Sequence, residues 1–227
     1  KQDTQTLLEL AKARGWGTGV VTTTRITHAT PASTYAHICH RDAENDIASQ
    51  LVPSSQGDTY QRYNVKLKDG VDVILGGGKR QFLPKDQGGE RIDQRNLIAE
   101  MQQAGYRVVY DQTQLSQMKL GKNEKLLGLF NTSHLNYDLD RTKKNLPEPS
   151  LKQMTLAALD ILTQNKNGFF LMVEGGRIDH ALHDTNAKRA LQDTIALNEA
   201  LDATIKKLRQ SDPCLLYTSD AADDLLC

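Results

Sequence analysis

Short apolar runs alternate with amphipathic segments along the whole chain. Strands are predicted where these runs are rich in valine, leucine and other strand-forming residues, over 18–22, 71–75, 107–110 and 169–173. Apolar residues at helical spacing predict helices between the strands, over 4–14, 46–52, 96–104, 150–162 and 187–208. This alternation predicts an α/β fold, with a mostly parallel central sheet and helices on both faces.

Local capping signals place two helix starts. Ser150 with Gln153 has the spacing of a capping box. Thr30, followed by a proline, has the pattern of an N-cap and predicts a helix running toward Cys39. The polar, proline-containing segment 131–149 is predicted to be a long loop.

The composition suits one folded domain and excludes several functional classes. Hydrophobic residues make up 38% of the 227 residues, which is enough to bury a core. The formal net charge is zero, so charge gives no reason to expect binding to nucleic acid or to an anionic membrane. No apolar run approaches the roughly 20 residues that span a bilayer.

The two ends of the chain differ from its body. Residues 1–213 form the predicted domain, whereas the sequence of 214–227 resembles a translated transposase adapter and is predicted to be a non-native tail. A short polar C-terminal tail is the alternative. The chain begins with Lys1 rather than methionine, so its natural N-terminus is predicted to lie upstream. A signal peptide that has been removed is an alternative that stays open.

The segment 168–183 (GFFLMVEGGRIDHALH) is the first candidate for chemistry. Its apolar run predicts a buried strand that ends at Glu174, and ligands of open α/β sheets bind beyond the carboxyl ends of strands. Asp179 and His183 are four residues apart, so on a helix they would share a face and could bind one metal ion. Alone this spacing is weak evidence, and His180 could equally be a surface residue.

The segment 28–41 (HATPASTYAHICHR) is the second candidate. The hydroxyl of Thr30 could bind magnesium, although a simple N-cap is the alternative. The guanidinium of Arg41 could bind two phosphate oxygens at once, or be solvated at a helix end. His37 and His40 are interpreted as packing or surface residues.

Together these two segments resemble the alkaline phosphatase family. The match rests on VEGGRIDH with His183 at the right offset, and on HATP followed by Ala36, His37 and Arg41. Similarity also runs through VTTTR at 21–25 and covers nearly everything up to about residue 207.

The resemblance implies a role for each site residue. Asp179 and His183 would bind the zinc ion that activates water, and Glu174 would bind magnesium with Thr30. Arg41 would bind the substrate phosphate. The remaining two candidates, His28 and His180, would act through water rather than as direct ligands.

The resemblance also implies the activity and setting of the whole protein. Family members hydrolyse small phosphate monoesters through a phosphoserine, using two zinc ions and one magnesium ion at each site. A homodimer in the periplasm or outside the cell is the corresponding expectation.

The chain departs from the family pattern in ways that affect activity. It has no Asp-Ser-Ala motif for the nucleophile and none of the family's downstream zinc ligands, so it is predicted to be an internal fragment without phosphatase activity of its own. Two alternatives stay open. One is a related phosphodiesterase, sulfatase or phosphomutase. The other is a non-catalytic fragment that binds phosphate or metal through Thr30, Arg41 and Glu174.

Overall fold

A five-stranded sheet forms the centre of the molecule. This computed structural model describes residues 4–53, 65–119, 121 and 124–211. The strands are β1 (Gly17–Arg25), β2 (Val73–Gly77), β3 (Tyr106–Val109), β4 (Lys125–Leu129) and β5 (Phe169–Glu174). They lie in the order β3-β4-β2-β1-β5, and every pairing is parallel. The predicted fold class is therefore confirmed, and the sheet is open.

Helices connect the strands and cover the sheet. In chain order they are α1 (Leu7–Ala13), α2 (Ala29–Ala32), α3 (Glu44–Ser49), α4 (Leu97–Gln103), α5 (Gln112–Gln117), α6 (Asp138–Lys143), α7 (Leu151–Leu162), α8 (Arg177–His183) and α9 (Ala187–Ser211). Short 3-10 turns occur at Val65–Leu67, Lys79–Phe82 and Lys85–Gln87.

Side chains alternate between the two faces of each strand, and this divides the core into two layers. Val20 of β1 packs in one cluster with Leu8 of α1 and Leu97 of α4. Its neighbour Val21 packs in the other, with Met154 of α7. Because successive strand residues point to opposite faces, these clusters lie on the two sides of the sheet. Helices therefore cover both faces, as predicted.

The helix predicted from Thr30 toward Cys39 is wrong. The structure has a single short helix, α2, and its N-cap position is occupied by His28. The hydroxyl groups of Ser33 and Thr34 donate to the carbonyls of Thr30 and Pro31, a local bonding pattern that competes with helix continuation. The N-cap interpretation of Thr30 is wrong as well, because Thr30 lies inside the helix and its side chain is exposed.

The segment between 131 and 149 also differs from its prediction as a loop. It contains α6, in which Arg141 Nη2 donates to Asp138 Oδ1 at 2.6 Å. Acidic residues occupy the first turn and basic residues the last, which suits the helix dipole. The predicted capping box is confirmed, with Gln153 N donating to Ser150 Oγ at 3.2 Å and Ser150 N donating to Gln153 Oε1 at 2.8 Å.

Two further predictions concern the tail and membranes. The boundary between 213 and 214 lies outside the described residues. Within the described ranges, none of the helices combines the length and the hydropathy needed to cross a membrane.

Candidate functional site

Polar side chains gather where three of the parallel strands end. His28 follows β1, His134 follows β4, and Glu174 is the last residue of β5. Parallel strands bring their carboxyl ends to one edge of the sheet, which is where open α/β folds bind ligands. The two segments selected from the sequence therefore meet at one edge, and His134 joins them.

Glu174 is held by threonine hydroxyls on the neighbouring strand. The register of β1 and β5 places Thr22 directly opposite Glu174. Thr22 Oγ1 donates to Glu174 Oε2 at 2.6 Å, and Thr24 Oγ1 lies 3.2 Å from the same oxygen. Both threonines are fully buried. Both hydroxyls contact Oε2, and the other carboxylate oxygen of Glu174, Oε1, accepts no hydrogen bond from the described residues.

Gly176 packs closely against this carboxylate. A Cβ atom at residue 176 would stand 2.3 Å from Thr24 Cγ2 and 3.0 Å from Glu174 Oε1. Such contacts are far shorter than van der Waals separation. The glycine therefore allows the backbone to approach Glu174 closely as β5 leads into α8.

Asp179 and His183 share one face of α8, as their spacing predicts. Asp179 Oδ1 lies 3.6 Å from His183 Nε2, and both side chains are largely exposed, at 71% and 79%. Two ligands about 2.0 to 2.1 Å from a tetrahedral ion lie about 3.3 Å apart. The pair could therefore bind one ion after a small adjustment.

Thr30 and Arg41 come from the second selected segment, close to His28. Thr30 is exposed on α2, two residues after His28. The guanidinium of Arg41 is exposed, and its Nη2 lies 3.3 Å from His28 Nε2. His28 also interacts electrostatically with Glu174, so the two selected segments are neighbours in space.

Three histidines form a cluster that sequence reasoning did not identify. The rings of His28, His134 and His180 make edge contacts, with centroids 4.4 to 5.4 Å apart. A ring nitrogen from each lies within 4.8 Å of the others. The available signal for His134 was its position shortly after the apolar run of β4, which parallels the position of His28 after β1.

Burial and nearby arginines keep these histidines neutral. Burial, followed by Arg25, lowers the pKa of His134 to about 2. Burial lowers the pKa of His28, with further effects from Arg25 and Arg41. Burial and Arg177 lower the pKa of His180. All three rings are therefore uncharged at neutral pH.

Glu44 at the start of α3 holds Arg25 beside this cluster. Arg25 Nη2 donates to Glu44 Oε1 at 2.6 Å, and Arg25 Nε donates to Oε2 at 2.8 Å. Thr27 donates to the same carboxylate. Burial raises the pKa of Glu44, but the hydrogen bonds from Arg25 and Thr27 outweigh it, so the pKa is lowered overall. This ionic pair fixes the guanidinium against His134.

The two histidines interpreted as packing or surface residues behave as expected. His37 Nε2 lies 2.7 Å from Oε1 of the buried Glu9. His40 is 74% exposed. The partner of His37 comes from α1, 28 residues earlier, so it could not be read from the local sequence.

Fold and site together define the class to which the protein belongs. A family model described as "Alkaline phosphatase" matches residues 1–224. Because the match covers nearly the whole chain, the chain belongs to the alkaline phosphatase family, whose members are phosphoric monoester hydrolases.

Individual relatives agree with this assignment. The chain is 41% identical to alkaline phosphatase 4 of Bacillus subtilis (strain 168) over 215 residues, and 37% identical to membrane-bound alkaline phosphatase of Bombyx mori over 243 residues. Each match covers 95% of this chain and 42% of the relative. The crystal structure of Thermus thermophilus alkaline phosphatase superposes with a TM-score of 0.75 at 38% identity, covering 89% of this chain and 38% of that one.

Two facts follow from these matches. The chain spans less than half the length of the Bacillus subtilis and Bombyx mori relatives. A solved variant of TAB5 alkaline phosphatase, with a TM-score of 0.67 and 23% identity, is described with magnesium bound. Metal binding thus occurs among proteins of this fold.

The lowered pKa of His134 predicts a specific loss of stability in acid. The unfolded chain protonates this ring near its ordinary pKa of 6.5, whereas the folded chain does so only near 2. The unfolded state therefore binds more protons below pH 6.5, and the free energy of unfolding falls by up to about 1.4 kcal/mol per pH unit from this residue. His134→Phe should reduce that slope, measured by urea denaturation between about pH 6.5 and pH 5.

His40→Phe is the matched control. It removes an exposed imidazole and should leave the slope of the wild-type chain unchanged. Equal slopes in all three proteins would show that His134 titrates normally in the folded state.

Proposed function

We propose that this chain forms one side of a phosphomonoesterase active site, in a protein that hydrolyses phosphate esters through a phosphoserine. The observation that carries the proposal is the arrangement of Glu174, the Asp179–His183 pair and Arg41 at one edge of the sheet. It supplies oxygen and nitrogen ligands for two kinds of cation and a guanidinium for phosphate.

Glu174 and Thr30 are the proposed magnesium ligands. Carboxylate and hydroxyl oxygens are the hard ligands that magnesium prefers. Glu174 suits this role because its Oε2 is bound by threonine while its Oε1 has no donor among the described residues.

Asp179 and His183 are the proposed zinc ligands. An imidazole nitrogen and a carboxylate oxygen suit zinc, and their 3.6 Å separation is near that of two ligands of one tetrahedral ion. The family resemblance implies a second zinc ion, which we include in the proposal. When bound, the two zinc ions would stabilise charge on the attacking and leaving oxygens and lower the pKa of a bound water.

The remaining residues bind and orient the substrate. Arg41 would hold two phosphate oxygens with its planar guanidinium, a geometry that lysine cannot reproduce. His28 and His180 would contact the site through water. Because their rings are neutral, they add hydrogen-bonding groups without additional positive charge.

We propose that this chain does not supply the nucleophile. The sequence contains no Asp-Ser-Ala motif, so we expect the 227-residue chain alone to lack phosphatase activity. For the whole protein we propose a homodimer located in the periplasm or outside the cell, with small phosphomonoesters as substrates.

The test uses the complete protein that contains this chain and the substrate 4-nitrophenyl phosphate. Hydrolysis should disappear on chelation and return when zinc and magnesium are restored. Arg41→Ala should lower kcat/KM by about 10- to 100-fold, the loss expected for charged hydrogen bonds, and Arg41→Lys should recover only part of it. Turnover that is insensitive to chelation contradicts the metal mechanism. Phosphate binding without turnover would instead identify a non-catalytic binding protein.

Thr22 is expected to tune metal affinity through Glu174. Partners that orient a metal ligand typically change affinity by about 10- to 100-fold when removed. Thr22→Val should therefore weaken manganese binding to the chain by that factor, measured by electron paramagnetic resonance with manganese as a magnesium probe. Glu174→Gln should weaken it at least as much.

Thr18→Val supplies a matched control on the same strand. Thr18 is equally buried, and its hydroxyl donates to Asp72 at 2.9 Å at the opposite end of β1. This variant should lose comparable stability but bind manganese like the wild type. Equal affinity in the Thr18 and Thr22 variants would contradict the proposed role of Thr22.

A further inference from the structure

We infer that Tyr137, the residue just before α6, positions α8, the helix that carries Asp179 and His183. The role of this pair as zinc ligands is taken from the proposed function. Apart from the contact between them, the two side chains make no hydrogen bond or ion pair with the described residues. Their location in the site therefore depends on where the backbone of α8 lies.

Helix α8 is too short to fix its own position. It has seven residues, and its N-cap, Gly176, offers no side-chain hydrogen bond. Helices of this length are marginal in water, because few hydrogen bonds offset the cost of ordering the first turn. The position of α8 is therefore set by the residues that pack against it.

Tyr137 contacts α8 at both ends and in the middle. The guanidinium carbon of Arg177, the first residue of α8, lies 3.8 Å from the centre of the Tyr137 ring. Ala181, in the middle, belongs to the same small buried cluster as Tyr137. The Tyr137 hydroxyl donates to Oδ2 of Asp184, the C-cap residue, at 2.6 Å. One side chain thus contacts the whole length of the helix.

The contacts of Tyr137 lie on the face of α8 that points away from the metal pair. Its three contact positions are four and three residues apart, so they share one face of the helix. At about 100° of rotation per residue, Asp179 and His183 lie roughly 150° around the helix from that face. A rotation or shift of α8 on Tyr137 would therefore displace both ligands together.

Tyr137 is itself held in place by α6 and α9. The guanidinium carbon of Arg189, from α9, lies 4.6 Å from the centre of the same ring, and Arg189 Nη2 lies 2.8 Å from Asp140 Oδ2 of α6. The backbone N–H of Asp138 lies 3.3 Å from Oδ2 of the buried Asp193 of α9. Attraction between guanidinium groups and an aromatic ring adds to this packing. The tyrosine therefore joins α8 to two other helices.

Metal affinity distinguishes positioning from a contribution to stability alone. Glu174, the proposed magnesium ligand, is held by the hydroxyls of Thr22 and Thr24 on β1 rather than by α8. A change at Tyr137 should therefore weaken binding at the zinc pair and spare Glu174. A general loss of stability would act on both.

Zinc titration of the 227-residue chain, followed at the imidazole nitrogens of His183 by NMR, tests this inference. Tyr137→Leu should weaken zinc binding by about tenfold or more, the loss typical when a partner that orients a metal ligand is removed. Tyr137→Phe keeps the ring and should weaken it less. Manganese binding at Glu174, measured by electron paramagnetic resonance, should stay as in the wild type. Unchanged zinc affinity, or an equal loss for zinc and manganese, would overturn the positioning role.

Tyr106→Phe is the matched control. Tyr106 is also buried, and its hydroxyl donates to the Val71 carbonyl at 2.6 Å. It begins β3, at the opposite edge of the sheet from β5. This variant loses a comparable hydrogen bond and should bind zinc like the wild type. Weakening of the same size in Tyr106→Phe and Tyr137→Leu would contradict the inference.

Amide hydrogen exchange of the metal-free chain separates the positioning role from the zinc assignment. Loss of the hydrogen bond to Asp184 in Tyr137→Phe should speed exchange in α8 by about tenfold, whereas Tyr106→Phe should leave it unchanged. Faster exchange in a chain that binds no zinc at His183 would support the positioning role and overturn the zinc assignment. Unchanged exchange in both Tyr137 variants would overturn the positioning role. Tyr137→Phe decides the question if Tyr137→Leu does not fold.

Discussion

The alignment of β1 with β5 is the constraint on which the site depends. Parallel pairing places Thr22 opposite Glu174, and the hydroxyl of Thr22 binds the carboxylate at the point where β5 ends. A carboxylate near a core is costly unless it is paired, so this contact allows the apolar strand to end in an acid. A shift of one residue would turn the side chains of β5 to the opposite face and remove Glu174 from Thr22.

Local signals in the sequence were sufficient for the architecture. The apolar runs predicted four of the five strands, β4 not being among the predictions, and the capping box at Ser150 was confirmed. The prediction of a helix beyond Thr30 was wrong because the side-chain hydroxyls of Ser33 and Thr34 bind nearby carbonyls. The spacing of apolar residues carries no information about such hydrogen bonds. Short elements such as α6 were missed because their stability depends on charge pairs rather than on an apolar stripe.

The residues of the site could be predicted only in part from the sequence, and the reason is different. Asp179 and His183 are close in the chain, so spacing alone placed them together. Thr22 and Glu174 are 152 residues apart, and His134 lies 109 residues from Arg25. Contacts of that range follow from strand order, which the sequence pattern did not supply. The long-range partners Thr22, Thr24 and Glu44 therefore emerged only from the structure.

Two chemical environments lie side by side at this edge of the sheet. Glu174, Asp179 and His183 offer lone pairs, which suits cations, and the exposed guanidinium of Arg41 offers N–H donors, which suits a phosphate group. A phosphoester hydrolase needs both, because metal ions and a phosphate group must be bound within a few ångströms of each other.

Anomalous X-ray scattering from crystals of the complete protein, grown with zinc and manganese, tests this account most directly. The account predicts a zinc peak about 2.0 to 2.2 Å from Asp179 and His183, and a manganese peak beside Glu174 Oε1. No metal ion at Glu174, or none at Asp179 and His183, would contradict it.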